Sequence, residues 1–321
     1  MAVTADERSR RMVERISEQS LPRDLDPLVD QYRAATADRD ELLWKWLWHV
    51  FPRFRLSSVP DRHADDARRA KFYLSLYMTV LDDVSERHTD RATFQVGRTL
   101  PFEETATAAD DAVDAATIDL LRSAHERLDA CLADAPRGDR FRELFEFDLR
   151  ESLNTMDYNR LVNQGPQLAN ASGIDRYDTH NMLLYLYVDV DLAFSPGFDA
   201  ADLATLRELT WDAQTLVRIG NWVSTWEREL REDDYTSKVV VRAIEEGIVS
   251  CAELRSDAVA DDELIRRIKD TAIEHDLLCR WNRLYRELRG TDHDLATVDV
   301  DGFLDGIRYL LEVDVKLRGH K

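Results

Sequence analysis

Asn221, Thr225 and Glu229 follow one another at steps of four within Asn221-Trp222-Val223-Ser224-Thr225-Trp226-Glu227-Arg228-Glu229, a stretch with helical apolar spacing and no proline. In an α-helix they stack along one face at about 6 Å per step. An amide oxygen, a hydroxyl and a carboxylate in a row form the hard-oxygen set that Mg²⁺ prefers. Arg228 falls on nearly the same face and puts a cation beside the ladder. Polar ladders of this kind also arise on solvated helices. Here the neighbours Leu216, Val217, Ile219, Trp222, Val223 and Trp226 are too apolar for a free surface.

A second oxygen cluster lies upstream. Asp82, Asp83 and Glu86 close a run from Phe72 to Leu81 that is apolar almost all round, which predicts a buried central helix. Asp82 and Glu86 share a face at i, i+4. Carboxylates near the C-terminal end of a helix oppose its dipole, at about 0.3–1 kcal/mol each. Crowding them there favours either a bound cation or a helix end running out into water.

The two clusters together resemble those of the class I terpene synthase family. Asp82, Asp83 and Glu86 match its DDxx(D/E) motif. Asn221, Thr225 and Glu229 match its second metal motif, and Arg228 matches the basic residue that commonly precedes the final Glu. The separation of the two motifs is similar to that in microbial single-domain members. Arg308-Tyr309 looks like the family's diphosphate-gripping Arg-Tyr pair, and Arg176 stands close to where the family carries its diphosphate-sensing Arg. The resemblance covers about residues 40–315.

It implies an all-α, single-domain helical bundle around a central apolar cavity. It also implies a lyase that ionises a prenyl diphosphate, farnesyl or geranylgeranyl, and cyclises or rearranges the carbocation to a terpene. Three Mg²⁺ would bridge the diphosphate and the two motifs as Lewis acid and template. On that reading Asp82 is the principal ligand of the first wall, with Asp83 and Glu86 conditional. Asn221, Thr225 and Glu229 hold one ion on the opposite wall. Arg176, Arg228, Arg308 and Tyr309 bind diphosphate oxygens. The cation then needs an apolar, aromatic surface. Candidates are Phe72, Tyr73, Tyr77, Trp222 and Phe303, with Met78 and Thr79 one turn before the Asp pair. No general base is evident, and in this family deprotonation is often left to diphosphate.

Two departures stand out. Trp222 occupies a position that is usually Asp but not usually a ligand. The segment Ile174 to His180 lacks the glycine that the family often places at the helix break. A trans-prenyl diphosphate synthase is the nearest alternative, since it shares the fold and ionises the same substrates. It carries two DDxxD motifs, whereas Asp233-Asp234 here is followed by Ser237 and Lys238. A non-catalytic helical protein that kept the fold is the other alternative; intact Asp82, Asn221, Thr225 and Glu229 argue against it.

The elements that must position these residues read as helices. Helical patterns run from Leu25 to about Arg55, along the segment ending at Asp82, and over Asp111–Leu132 and Arg140–Val162. They resume over Met182–Tyr187, Ala201–Asp233, Val239–Ala252, Asp261–Arg289 and Asp299–Leu317. Gly and Pro pairs mark the breaks, and Arg87 to Asp110 reads as a long loop. Residues 1–25 are expected to be mobile or weakly helical, with residues 26–321 forming one domain. Trp44 and Trp48 share a face that reads as core. No HxxxH or ExxH pair suggests zinc or di-iron.

Composition sets outer bounds. At 321 residues and 44% hydrophobic the chain can bury a sizeable core. A formal net charge of −20 makes nucleic acid or an anionic membrane an unfavourable general partner. Lysine occurs only at positions 45, 71, 238, 269, 316 and 321. An acidic, Arg-over-Lys surface suggests a salty cytoplasm, though a GC-rich genome would also favour Arg. Cys131, Cys251 and Cys279 are scattered and read as reduced cytoplasmic thiols. No secretory signal and no bilayer-spanning run of ~20 apolar residues is visible. A homodimer is left open.

Overall fold

The computed structural model describes residues 5–36, 39–87, 89–102, 112–256 and 258–318. Among them are fifteen α-helices and no strand. They are α1 Ala5–Ser17, α2 Asp26–Ala35, α3 Glu41–Val50, α4 Asp61–Asp82, α5 Arg91–Thr99, α6 Ala115–Ala133, α7 Gly138–Gln164 and α8 Ala171–Arg176. There follow α9 Leu184–Ala193, α10 Leu203–Arg231, α11 Lys238–Glu245, α12 Cys251–Leu254, α13 Asp261–Lys269, α14 Ile273–Gly290 and α15 Val300–Lys316.

The central helices are those with apolar residues on every side. From Lys71 to Met78 every residue of α4 is buried, and in α9 only Tyr185 is not. A helix apolar all round has to be enclosed by others. Accordingly α4 packs on α6, α7 on α9, and α10 on α14 and α15. Trp44 and Trp48 pack against Phe72, with ring centroids 5.9 and 6.2 Å away. At Gly306 the close approach of α15 to the turn after α3 demands glycine: a Cβ there would lie 2.0 Å from the Arg53 carbonyl oxygen.

A buried ion pair joins α4 to α9. Lys71 Nζ lies 2.7 Å from Asp191 Oδ2, and each side chain is 1% exposed. The backbone N–H of Leu56 donates to the same oxygen at 2.9 Å. This clamp ties α4, α9 and the turn after α3 together.

Within residues 1–25, expected to be mobile or weakly helical, Ala5–Ser17 form α1, whose Met12 and Ile16 pack on Val313 and Leu317 of the C-terminal end. Three stretches differ from the sequence expectation. The stretch read as a loop before Asp110 contains α5, capped by Asp90 and anchored by buried Phe94. The helix expected over 261–289 is two, α13 and α14, and the one over 239–252 is broken at Gly247, whose φ is +69°. No helix among the described residues is long and apolar enough to cross a membrane.

Candidate active site

Helix α4 does not end cleanly at Asp82. Its last turn widens into a π-turn over Asp83–Arg87, a local irregularity that recurs at functional sites. The widened turn leaves Asp82 and Glu86 facing a cavity and sends Asp83 into the core. There Asp83 accepts from Tyr32 Oη at 2.7 Å and Arg39 Nε at 2.7 Å. Arg39 also reaches Asp82, at 3.1 Å.

The cavity, about 230 Å³, lies among α3, α4, α9, α10 and α15. Asn221, Arg228 and Glu229 of α10 line it together with Asp82 and Glu86 of α4. The two oxygen clusters therefore meet across one space. Its other walls include Trp46, Phe51, Phe54, Met78, Met156 and Tyr187.

The acids share one electrostatic neighbourhood. Burial raises Asp82 to about 6, against the pull of Arg39 and with the push of Asp83 and Asp234. Burial raises Glu229 to about 7, helped by Asp234. Glu86 is raised well above the usual range by burial and then by Asp82, Asp234 and Glu229. Asp82 Oδ1, Glu86 Oε1 and Glu229 Oε2 are buried and receive no hydrogen bond. Buried carboxylate oxygens are normally satisfied, so three left open on one cavity are unusual. Among the described residues, no three His, Cys, Asp or Glu side chains sit close enough to enclose an ion by themselves. Mg²⁺ does not require that, because it is commonly held by one or two carboxylates plus substrate phosphates.

By architecture the chain is similar to solved farnesyl diphosphate synthases of T. brucei. One shares 15% identity with a TM-score of 0.54, covering 96% of each chain. Another, in complex with 2-(2,5-dichlorobenzo[b]thiophen-3-yl)acetic acid, shares 13% identity with a TM-score of 0.53, again over 96% of each chain. The fold is that of the isoprenoid synthases. No family profile and no curated protein matches the chain by sequence.

Within this isoprenoid-synthase fold, the sequence-nominated residues divide. Asp82, Glu86, Asn221, Arg228, Glu229 and Met78 line the cavity. Thr225 is buried, and its hydroxyl donates to the Asn221 carbonyl at 2.7 Å. Arg228 sits 3.6 Å from Glu229 and also pairs with Glu232. Phe72 is core. Tyr77 donates to the Gly97 carbonyl, and Trp222 donates to Asp178 at 2.8 Å. Helical angles explain this: at about 100° per residue, Tyr77 is about 140° round from Asp82, and Trp222 about 100° from Asn221.

Three more nominated residues lie off the cavity. Arg176 is exposed, its guanidinium 5.6 Å from the Tyr177 ring centroid. Arg308 is 53% exposed, beside Asp305. Tyr309 shares a 2.7 Å hydrogen bond with His49 and lies under Arg53. From α15 it is Leu310 and Asp314 that line the cavity.

The sequence reading missed Arg39 and Arg218, and weighed Asp234 only as half of a second Asp pair. Arg218 is the buried arginine of this wall. It donates to Asp178 through Nε and Nη2, both at 2.6 Å, and through Nη1 to Asn221 Oδ1 at 2.6 Å. Asn159 and Trp222 complete the shell of Asp178. Its position three before Asn221, on the ladder's own face, was the available signal. The helix break expected nearby is made without glycine. Leu183 adopts φ 59°, and Gln214 of α10 accepts from the N–H groups of Leu184 and Tyr185 that begin α9.

Proposed function

We propose that the protein is a magnesium-dependent enzyme that ionises a prenyl diphosphate and cyclises or rearranges the carbocation to a terpene, releasing diphosphate. The observation that carries this reading is the set of open carboxylate oxygens on Asp82, Glu86 and Glu229 above an apolar, aromatic hollow. When bound, Mg²⁺ supplies Lewis-acid stabilisation of the departing diphosphate.

The chain's own residues do the rest. Asp82 with Glu86, and Glu229 with Asn221 and Thr225, offer hard oxygens from two walls. Arg218, held rigid by Asp178, and Arg228 offer donors to phosphate oxygens, where planar guanidinium forks suit the geometry. Fixed donors aimed at developing charge stabilise a transition state more than water does. Trp46, Phe51, Phe54 and Tyr187 present aromatic surface to the cation, about 2 kcal/mol for a well-placed ring once desolvated. Met78 and Met156 fill the wall between them. Their closely packed surface excludes water that would quench the cation.

A second reading is condensation of two prenyl units, as in the farnesyl diphosphate synthases whose fold the chain shares; that likeness favours it. Condensation needs cationic groups for a second diphosphate. Of the arginines lining the cavity, Arg218 and Arg228 are taken by the first diphosphate and Arg39 is held by Asp82 and Asp83. This and the Asn/Thr/Glu ladder favour a single substrate. The deciding experiment measures Mg²⁺-dependent diphosphate release from C10, C15 and C20 prenyl diphosphates, with and without isopentenyl diphosphate. Extracts are analysed by gas chromatography–mass spectrometry. Release from one substrate alone with a hydrocarbon or terpene alcohol product supports cyclisation. Release only with isopentenyl diphosphate and a longer diphosphate product supports condensation. No release under either condition removes both.

A further inference from the structure

A second cavity, about 320 Å³, lies on the far side of α9 from the first. Tyr187 faces one and Asp189 the other, since two residues on a helix stand about 200° apart. Its walls include Phe102, Leu128, Leu132, Phe141, Phe145 and Leu149. Asp189 is the polar group set deepest among them. It is 1% exposed, and no donor from the backbone or from any side chain but Asp148, with which it shares a hydrogen bond, reaches its oxygens. A buried carboxylate in an apolar hollow is costly unless a cation or a proton pairs with it.

The charges nearby do not cancel. Asp148 abuts Asp189 and is itself buried. Arg207 forks onto Asp148 at 2.7 and 2.9 Å, and stands 3.9 Å from Asp189. Two carboxyl groups thus share one guanidinium, and one further positive charge is called for. Without a ligand that charge is a proton: burial and Asp148 hold Asp189 protonated well above the usual carboxylate range. Among the described residues no other group at the cavity supplies it. Arg142 is paired with Asp129 at 2.6 Å, His125 is held neutral by burial, and Glu146 adds negative charge.

We propose that this cavity is a binding site for a small apolar amine, with the ammonium on Asp189 and the hydrocarbon body against the Phe and Leu walls. Binding exchanges one cation for another. The protonated amine enters, Asp189 gives its proton to the buffer, and an ion pair forms. The site is distinct from the metal-facing cavity and does not depend on the function proposed for it.

The test uses 1-adamantylamine and its neutral isostere 1-adamantanol, each titrated calorimetrically into the full chain at pH 7 in two buffers of different ionisation enthalpy. Wild type should bind the amine about tenfold or more tightly than the alcohol and release ~one proton per amine. Asp189→Asn should bind the two equally and release none. Leu132→Phe, which narrows the hollow, should weaken both ligands while circular dichroism stays unchanged, and it serves if Asp189→Asn fails to fold. Mg²⁺ with inorganic diphosphate should not displace the amine. Equal binding of the two ligands by wild type overturns the proposal. So does full discrimination by Asp189→Asn, undiminished binding by Leu132→Phe, or displacement by Mg²⁺ and diphosphate.

Discussion

Arg218 Nη1 lies 2.6 Å from the amide oxygen of Asn221, while the rest of its guanidinium is locked onto Asp178. The amide nominated as a metal ligand is thereby held in one orientation by a cation that is itself immobile. Lysine cannot reproduce this, because an ammonium lacks the planar fork needed to grip Asp178 and Asn221 together. Arg218→Lys should lower kcat by about a hundredfold or more, in line with the loss of a fixed charge-stabilising donor, and move KM less. Arg218→Met should in addition cost about 3–5 kcal/mol of stability, since it strands the charge of Asp178. Steady-state kinetics and urea melts of the two variants check this; kcat near wild type in Arg218→Lys would refute the role.

The open oxygens give a second prediction. Glu229→Gln and Asp82→Asn keep the shape of each wall and remove a ligand charge. Both variants should retain the helical circular dichroism signal and lose nearly all turnover. Wild type should gain thermal stability on adding Mg²⁺ and inorganic diphosphate by mass action, and the variants should gain little. Turnover in Glu229→Gln comparable to wild type would sink the assignment of Glu229 as a ligand.

A pH dependence follows from the same acids. Asp82 and Glu229 are raised by burial to about 6 and about 7 in the fold, above their ordinary values of 3.8 and 4.5. The folded chain therefore binds protons more tightly than the unfolded one between those limits. Without metal, their contribution to stability falls as pH rises through that window and is most unfavourable above it. Glu229→Gln carries no charge to penalise, so its stability relative to wild type should rise from pH 4.5 to pH 8. Metal uptake must displace these protons. Calorimetry in two buffers should therefore show proton release on Mg²⁺–diphosphate binding near pH 6. Denaturant melts at each pH supply the stability comparison; a flat difference between wild type and variant contradicts it.

The sequence made parts of this site legible and hid others for geometric reasons. Periodicity alone placed Asp82 with Glu86, and Asn221 with Glu229, on common faces, because a helix fixes the azimuth of every residue along it. The same rule, applied strictly, would have turned Tyr77 and Trp222 away and brought Arg218 in. Trp44 and Trp48 were readable as core by the same rule, while Trp46, on the other face of α3, lines the cavity. Arg39 and Asp234 lie in connections between helices, where no period constrains direction. The assignment of Arg176 rested on spacing to a motif, and spacing along the chain does not say which side of α8 faces inward. The all-α architecture was readable because apolar spacing and breakers agree along the chain. The division of α13 from α14 was missed because no glycine or proline separates them.

The buried pair on the neighbouring helix faces supports the cavity without lining it. Lys71 and Asp191 are each 1% exposed and lie 2.7 Å apart. Burial pulls the Lys71 ammonium below its ordinary range, with Asp191 opposing, so the pair sits where neither charge is tolerated alone. Lys71→Met leaves Asp191 unpaired and should cost about 3–5 kcal/mol. Adding Asp191→Asn removes the stranded charge yet keeps an oxygen for the Leu56 N–H. The double variant should therefore recover most of that loss, and urea melts of the four members of the cycle read the coupling directly. KM of the double variant should stay near wild type, because neither residue touches the cavity. A double variant as unstable as Lys71→Met would show that the ion pair contributes more than charge balance, and that the clamp cannot be replaced by neutral groups of similar shape.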